Sequence, residues 1–517
     1  MFRRALTYPR IPYGAMLDRP VELYPERVAI AWNDVTLTYR EVEGRVNGLA
    51  NALAALGIGR GDRVCLFMTN RPEYVIAFFA LARLGAIASP MNPSYKEREV
   101  AYQLSDCEAA AVIVQTDLLA IVDAARADVP RLKHVITVGR DGTFDQLVDR
   151  ASAAPPPPAA VGDDDVLVLP SSSGTTGLPK GVLLSHHAFV CNNLQFNAAS
   201  RMTDADRLLL FLPLYHIYGL MLMGGAVHAG ARLVLMDRFD LAECFRLIAG
   251  HRITFFPVVP PVLTALVASA ELTRTDWSSV RALMIGAAPV PPELARRFTQ
   301  STGVRVVQGY GLTESGPITH LNPVDDDERL TLDTAGLPCH DTEQKIVDIE
   351  SGERELPIGE VGEVCVRGPQ LMLGYWNAPE ATAAALRGGW LYTGDIGRLD
   401  ERGYLTITDR KKEMIKYKGF GIAPAEIEAL LFEHPGVVDV GVIGKPDPEA
   451  GEVPKAFVVR KDPTLTAEAL LAWASGRLAG YKTLREIAFV DAIPKTASGK
   501  ILRRLLREEE RRRLGFS

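Results

Sequence analysis

Apolar and polar stretches alternate along the first third of the chain in a way that is typical of strands separated by helices. Residues 64–68, 111–114 and 134–138 are short apolar runs, and each predicts a buried strand. After the first run, Asn70 is predicted to cap a helix that ends at Gly85. The alternation predicts a parallel sheet with helices on both faces.

The same α/β pattern continues to about residue 330, with one interruption. The run of four prolines at 155–158 is interpreted as a stiff surface loop. From residue 333 to 409 the glycines are dense and the apolar runs are short. This part of the chain predicts hairpins and a small barrel-like region.

The last hundred residues have a pattern of their own. A helix is predicted from Pro424 to Phe432, and apolar runs predict strands at 437–443, 456–459 and 487–490. This is a small α+β unit of a size that could fold alone. We therefore expect two domains, a large N-terminal one at 1–410 and a small one at 411–517.

Composition narrows the class of protein. The chain has 517 residues, of which 47% are hydrophobic and 23% charged, and a net charge of -6, so no global basic field attracts nucleic acid. The six cysteines form no CxxC pair, which argues against a zinc site or a disulfide framework and favours a reducing, cytoplasmic location. The N-terminus has no secretory pattern, and the apolar window at 211–230 is interpreted as buried core, not as a membrane span.

A loop rich in glycine and hydroxyl side chains follows the apolar run at 166–169. Residues 171–181 contain three serines, two threonines and three glycines, whose amides and hydroxyls can surround a phosphate. The loop differs from the P-loop signature, because Lys180 is followed by Gly181 and not by serine or threonine. On its own, a flexible surface turn explains the loop equally well.

Three further motifs carry chemistry in chain order. In 308–315, Tyr310 can stack on adenine and Glu314 can bind magnesium, although a surface acid would look the same. In 392–397, Asp395 can accept hydrogen bonds from a ribose diol, or can simply be a turn residue. Near the C-terminus Lys500 follows Ser-Gly, where a solvated lysine is the ordinary interpretation.

In this order the motifs resemble those of the adenylate-forming superfamily of acyl-CoA synthetases, peptide-synthetase adenylation domains and firefly luciferases. The likeness is closest to 4-coumarate–CoA ligases and related acid–CoA ligases, and it covers nearly the whole chain. The resemblance implies that ATP and Mg²⁺ activate a carboxylic acid to acyl-AMP, which is then transferred to coenzyme A. It also implies that the C-terminal domain rotates between the two steps about a hinge at Lys412.

The resemblance assigns roles to individual residues of this chain. The implied catalytic residues are Lys500, Lys416, Thr175 and His216. Of these, Lys500 serves the first step, Lys416 serves the second, and His216 lines the acyl site. The implied nucleotide site comprises Ser172, Ser173, Gly174, Thr176, Gly177, Lys180, Gly286, Ala287, Ala288, Gly309, Tyr310, Gly311, Thr313, Asp395 and Arg410. The implied acyl pocket comprises Tyr218, Gly309, Pro317 and Ile318, and the implied metal ligand is Glu314.

The sequence is compatible with more than one activity. Gly421 stands where relatives often carry an amide or carboxylate, so an amide-forming ligase that uses an amine is the main rival to a CoA ligase. A luciferase-like oxygenase and a nucleotide-binding regulator without turnover are further alternatives. The pocket candidates include no aspartate for an α-amine, which favours an acid without an α-amino group. The expected partner is a small carboxylic acid, neither nucleic acid nor membrane insertion is expected, and the chain is expected to be a monomer or a homodimer.

Overall fold

The computed structural model describes residues 5–172, 180–288, 290–325, 330–418, 420–475, 477–478, 482–496 and 499–513. The helices are α1 Asp18–Leu23, α2 Tyr39–Ala55, α3 Pro72–Leu84, α4 Glu97–Asp106, α5 Leu119–Ala125, α6 Thr143–Arg150, α7 His186–Ser200, α8 Ile217–Ala229, α9 Leu241–His251, α10 Pro260–Ala268, α11 Pro292–Thr302, α12 Pro379–Ala385, α13 Pro424–Phe432, α14 Ala467–Ser475 and α15 Arg503–Arg513.

The strands form four sheets. They are β1 Val28–Trp32, β2 Val35–Thr38, β3 Arg63–Phe67, β4 Ile87–Pro90, β5 Ala111–Gln115, β6 His134–Val138, β7 Val166–Val168, β8 Ser171–Ser172, β9 Lys180–Ser185, β10 Arg207–Leu210, β11 Arg232–Leu235, β12 Phe255–Val258, β13 Ala282–Ile285, β14 Val306–Gly311, β15 Ile318–Leu321, β16 Leu337–Pro338, β17 Glu343–Val347, β18 Gly362–Arg367, β19 Gly374–Tyr375, β20 Leu386–Arg387, β21 Trp390–Leu399, β22 Leu405–Arg410, β23 Ile415–Tyr417, β24 Phe420–Ile422, β25 Val437–Asp447, β26 Gly451–Arg460 and β27 Glu486–Phe489.

Two large sheets form the body of the chain. One has nine strands in the order β16-β15-β14-β13-β12-β10-β11-β1-β2, and its centre, from β14 to β1, is parallel. The other has eight strands, with the parallel order β7-β4-β3-β5-β6 extended by antiparallel β9, to which β8 and β19 pair. Helix α3 is buried along nearly its whole length and packs on β3 and β4, and α7 contacts strands of both sheets. The predicted α/β fold with parallel sheets is confirmed.

A third, five-stranded sheet is antiparallel and curls against the first two. Its strands run β17-β18-β21-β20, with β22 paired to β21. In the β21/β22 register Asp395 lies opposite Arg410, which brings both to one end of the sheet. The hairpins and the small barrel-like region predicted for 333–409 are confirmed.

The fourth sheet is built from the C-terminal part of the chain. It has the order β24-β23-β26-β25, with β27 parallel to β26 and with helices α13, α14 and α15 against it. Its hydrophobic cluster runs from Ile415 to Ile487 and is separate from the clusters of the large sheets. The small α+β unit is confirmed, and the boundary at residues 410 and 411 remains a prediction.

One local prediction was wrong. Asn70 does not cap α3, whose first turn follows Arg71 without a side-chain cap. Asn70 is buried and accepts a hydrogen bond from the Leu214 amide at 2.8 Å while donating to the Leu212 carbonyl at 3.0 Å. A buried amide needs such partners, and here they fix the loop that leads into α8.

The apolar window at 211–230 contains α8, whose side chains are buried from Ile217 to Val227. Among the residues that the structure describes, no helix combines the length and the apolar character needed to cross a bilayer.

Candidate active site

A cavity of about 660 Å³ opens at the carboxyl ends of the central parallel strands. The segment after β13, the end of β14, the start of β9 and the start of α8 all border it, and Lys412 and Lys500 border it from the C-terminal part. In open parallel sheets, ligands bind beyond the carboxyl ends of the strands. The cavity is therefore the candidate active site.

Asp395 is the centre of a buried polar cluster beside the cavity. The Tyr310 hydroxyl donates to Asp395 Oδ2 at 2.6 Å, and Arg410 Nε lies 2.9 Å from Oδ1. Burial, and then the neighbouring Asp395 charge, raise the pKa of Tyr310 well above its ordinary value, so its hydroxyl stays protonated. Each carboxylate oxygen keeps a second lone pair that can accept a hydrogen bond. Asp395 itself is buried and does not border the cavity, whereas Tyr310 and Arg410 do.

Glu314 supplies a second carboxylate at the cavity. It lies in a short 3-10 turn, Thr313–Ser315, directly after β14. Its Oε1 accepts a hydrogen bond from the Tyr375 hydroxyl at 2.8 Å, and its Oε2 has no hydrogen-bond partner among the residues described. A free carboxylate oxygen fits Mg²⁺, which is usually held by one or two carboxylates together with phosphates and water. No cluster of three potential metal ligands occurs in the described ranges, so phosphate and water would complete the coordination.

Lys500 is the cation that the C-terminal part places in the cavity. Its amide donates to Thr496 Oγ1 at 3.1 Å, and a β-bridge between Lys495 and Ile501 closes the turn around it. Burial, followed by repulsion from Arg410, lowers the pKa of Lys500 to about 8. The site therefore holds a positive charge in poorly solvated surroundings, where it stabilises an anion more strongly than in water.

Gly499 allows this approach. It has a φ of +83°, which L-residues rarely adopt, and a methyl group added to it would lie 2.5 Å from Pro261 Cδ on α10. Only glycine fits such a position without strain. The turn that carries Lys500 thus packs directly on the large part of the chain.

Another part of the cavity wall combines apolar side chains with two polar residues, His216 and Tyr218. His216 accepts from the Tyr218 amide at 3.3 Å, and burial followed by the Lys500 charge lowers its pKa to about 4, so its ring is neutral at ordinary pH. Met221 and Met284 line the wall beside it. The Tyr218 hydroxyl is buried and has no hydrogen-bond partner within the described part of the chain. Such a group is costly unless a ligand satisfies it.

Family models match both parts of the chain. Residues 17–376 match the AMP-binding enzyme model, and residues 426–500 match the model of the AMP-binding enzyme C-terminal domain. The chain belongs to the AMP-binding enzyme family. The description of the family names AMP, which agrees with a cavity bordered by Tyr310 and Arg410 of the Asp395 cluster, Glu314 and Lys500.

Relatives of this family member include plant and bacterial enzymes. The chain is 40% identical over 491 residues to 4-coumarate–CoA ligase 1 of Solanum tuberosum, covering 92% of this chain and 89% of the relative. It is 35% identical over 540 residues to a long-chain-fatty-acid–CoA ligase of Bacillus subtilis (strain 168), covering 98% and 96%.

Solved structures show the same architecture. ATP-bound MatB from Rhodopseudomonas palustris has a TM-score of 0.91 at 32% identity, covering 97% of this chain and 99% of that one. The anthranilate CoA ligase AuaEII in complex with anthranoyl-AMP also reaches 0.91, at 29% identity and 99% coverage of both chains. Apo MatB gives only 0.81 over the same coverage. The present conformation is therefore more similar to the ATP-bound form.

The structure brings most of the predicted site residues together. Those that border the cavity are Lys180, His216, Tyr218, Gly286, Ala287, Gly309, Tyr310, Gly311, Thr313, Glu314, Pro317, Ile318, Arg410, Lys412 and Lys500. Asp395 is buried behind Tyr310 and Arg410, and Ala288 follows Ala287 without being a wall residue. Ser172 ends β8, and the predictions for Ser173, Gly174, Thr175, Thr176 and Gly177 lie outside the described residues.

Lys416 is the catalytic candidate that lies apart. It is exposed on β23, where its amide donates to Glu452 Oε2 at 2.8 Å, and it does not border the cavity. Its strand partner on β24 is Gly421. The role predicted for Lys416 in a second step therefore requires a different arrangement of the C-terminal part, and it remains a prediction.

Several wall residues were missed by sequence reasoning. Ile217 and Met221 lie one helical turn apart on α8, so the spacing of the apolar run beside His216 could have found them. Gly181 and Leu312 lie within the motifs at 171–181 and 308–315 but were not named as wall residues. The others belong to segments without a recognised motif; they are Tyr102, Asp106, Met284, Tyr375, Trp376, Asn377 and Ala378.

Proposed function

We propose that this chain is an ATP-dependent acid–CoA ligase, which converts a carboxylic acid to acyl-AMP and then to an acyl-CoA. The observation that carries the proposal is one cavity in which a free carboxylate oxygen on Glu314, the Asp395 cluster, the Lys500 ammonium and an apolar end meet. Relatives along nearly the whole chain are named CoA ligases, which supports the same reaction.

In the first step the acid's carboxylate oxygen attacks the α-phosphorus of ATP. A phosphorus–oxygen bond to the acyl group forms, the bond between the α- and β-phosphates breaks, and pyrophosphate leaves. Asp395 and Arg410 hold the ribose, and Lys500 stabilises the negative charge that spreads over the phosphoryl oxygens. Glu314 would hold Mg²⁺, which would supply positive charge to neutralise the phosphates.

In the second step the sulfur of coenzyme A attacks the acyl carbon. A carbon–sulfur bond forms, the bond from the acyl carbon to the AMP oxygen breaks, and the thiol proton passes to solvent. Rotation about Lys412 withdraws Lys500 and brings the β23 face, with Lys416, toward the acyl-AMP. The exposed position of Lys416 in the present conformation supports this division, because one arrangement does not seat both lysines.

The walls define the class of acid. His216 is neutral, and Met221 and Met284 add apolar surface, so the acid has an apolar body. The unpartnered Tyr218 hydroxyl favours an acid with a hydroxyl or another hydrogen-bonding group at its far end. Among the described residues that border the cavity, Asp106 is the single aspartate, and it lies on the part of the wall that also contains Trp376. The wall near His216 and Tyr218 therefore offers no aspartate to an amine, which agrees with an acid that lacks an α-amino group.

The thiols support an inference about location. All six cysteines are free and buried, as expected in a reducing compartment, and we infer that the protein works in the cytoplasm.

An acid panel tests the proposal. Purified protein is incubated with ATP, Mg²⁺ and each acid, with coenzyme A and a small amine offered in parallel, and the products are identified by mass spectrometry. We expect an acyl-CoA, AMP and pyrophosphate. Formation of the amide alone would favour the amide-ligase alternative, and no pyrophosphate exchange with any acid would favour a nucleotide-binding protein without turnover.

A variant separates the two steps. Lys500→Ala is expected to abolish pyrophosphate release while sparing the reaction of supplied acyl-AMP with coenzyme A. Equal loss in both steps would contradict the rotation of the C-terminal part.

A further inference from the structure

Tyr375 occupies a rigid position beside the start of the phosphate-loop strand. It lies on β19, where it pairs with Val182 of β9, and β9 begins at Lys180. The Tyr375 amide also donates to Thr382 Oγ1 at 2.9 Å. Its backbone is therefore held from both sides, at the edge of the eight-stranded sheet.

The Tyr375 side chain reaches across to the other large sheet. Its hydroxyl donates to Glu314 Oε1 at 2.8 Å, and Glu314 follows β14 of the nine-stranded sheet. A second contact joins the same two segments, since the Met372 amide donates to the Glu314 carbonyl at 2.9 Å. On the other side, Lys180 Nζ lies 5.4 Å from the centroid of the Tyr375 ring. Tyr375 thus bridges the end of the phosphate loop and the candidate metal ligand.

The hydrogen bond has a fixed direction. A tyrosine hydroxyl carries the proton and a carboxylate can only accept, so Tyr375 is the donor and Glu314 the acceptor. Within the described residues, Glu314 Oε2 makes no hydrogen bond. One oxygen of the carboxylate is therefore anchored and the other is unpartnered, on a residue that borders the cavity.

We infer that Tyr375 is a positioning residue, which orients Glu314 so that its second oxygen is presented to magnesium–ATP. The inference rests on the proposed function, because it assigns Glu314 to the metal. A carboxylate without this anchor would have to be ordered when the metal binds, and residues that hold metal ligands in place typically change metal affinity about 10–100-fold when they are replaced. Tyr375→Phe removes only the hydroxyl and keeps the ring beside Lys180.

Calorimetry without acid tests the inference apart from turnover. ATP binding is titrated in Mg²⁺ and, separately, in EDTA, for the wild type, Tyr375→Phe, Glu314→Gln and the double variant. We expect Tyr375→Phe to weaken binding of magnesium–ATP about tenfold and binding of ATP in EDTA less than about twofold. Tyr392→Phe is the matched control, because Tyr392 lies outside the cavity with its ring against Arg387, and it should bind as the wild type does.

The double variant distinguishes positioning from a separate effect. If Tyr375 acts through Glu314, Tyr375→Phe adds nothing to the loss caused by Glu314→Gln. Unchanged binding of magnesium–ATP by Tyr375→Phe, or an equal loss with and without Mg²⁺, would overturn the inference while leaving the ligase proposal intact. A wild-type chain that binds no ATP at all would overturn the proposed function itself. Matching melting temperatures of wild type and Tyr375→Phe show that the fold is unaffected.

Discussion

Lys500 makes the first half-reaction sensitive to alkaline pH. The ammonium must be protonated to stabilise the phosphoryl oxygens, and its pKa is lowered to about 8 in this site. The largest cause is burial, followed by repulsion from Arg410; Lys412 lowers it further, while Asp395 and Glu413 act in the opposite direction.

Deprotonation of Lys500 should lower kcat/KM for ATP as the pH rises. The active, charged form of Lys500 predominates below pH 8 and is lost above it. At pH 9 about one tenth of the lysine remains protonated, so kcat/KM for ATP should fall about tenfold for each further pH unit. His216 has a pKa of about 4 and stays neutral through this range, so it does not contribute to the alkaline limb.

Pyrophosphate release at subsaturating ATP, measured from pH 6 to 10, is the assay. The ratio kcat/KM reports groups of the free enzyme, which is the state described here. Lys500→Arg, which stays charged at every pH used, should lower the rate but remove the alkaline limb. A limb near pH 8 that persists in Lys500→Arg, or a wild-type profile that is flat to pH 10, would refute the assignment.

Three further predictions concern the C-terminal part. Gly499→Ala combines an unfavourable φ with a close contact against Pro261. It should therefore slow pyrophosphate release about tenfold or more and spare the reaction of supplied acyl-AMP. Adding Pro261→Ala to this variant should recover part of the rate of pyrophosphate release. Lys412→Pro should slow acyl transfer to coenzyme A more than pyrophosphate release in single-turnover measurements, and equal slowing would argue against a hinge there. Arg503→Met removes the only cation paired with the buried Glu428 carboxylate among the described residues, 2.7 Å away, and leaves it only the hydrogen bond from the Val442 amide. This should cost about 3–5 kcal/mol in urea unfolding, and adding Glu428→Gln should recover much of that loss.

The fold was largely predictable because its signals are local. Alternating apolar runs identify strands such as β3 and β5 whatever their neighbours, and the run at 437–443 was found as the first part of β25. The error at Asn70 has a different origin. An asparagine before Pro72 is a good capping residue by local rules, but here its amide serves a loop more than 140 residues away.

The site was predictable where motifs carry it and not elsewhere. Tyr310, Glu314 and Lys500 belong to recognisable motifs, and the structure brings all three to one cavity. Tyr375 reaches Glu314 only because β19 adds to β9, a pairing between residues almost 200 positions apart that leaves no local pattern. Lys416 lies in a motif, yet its position relative to the cavity depends on how the C-terminal part is docked.

A crystal structure with Mg²⁺ and an ATP analogue that resists cleavage between the α- and β-phosphates would show whether this cavity binds the nucleotide. We expect ribose hydroxyls on Asp395, a magnesium ion on Glu314, and the Lys500 ammonium beside the α-phosphate. A nucleotide bound outside this cavity, or one whose phosphates reach neither Glu314 nor Lys500, would contradict this expectation.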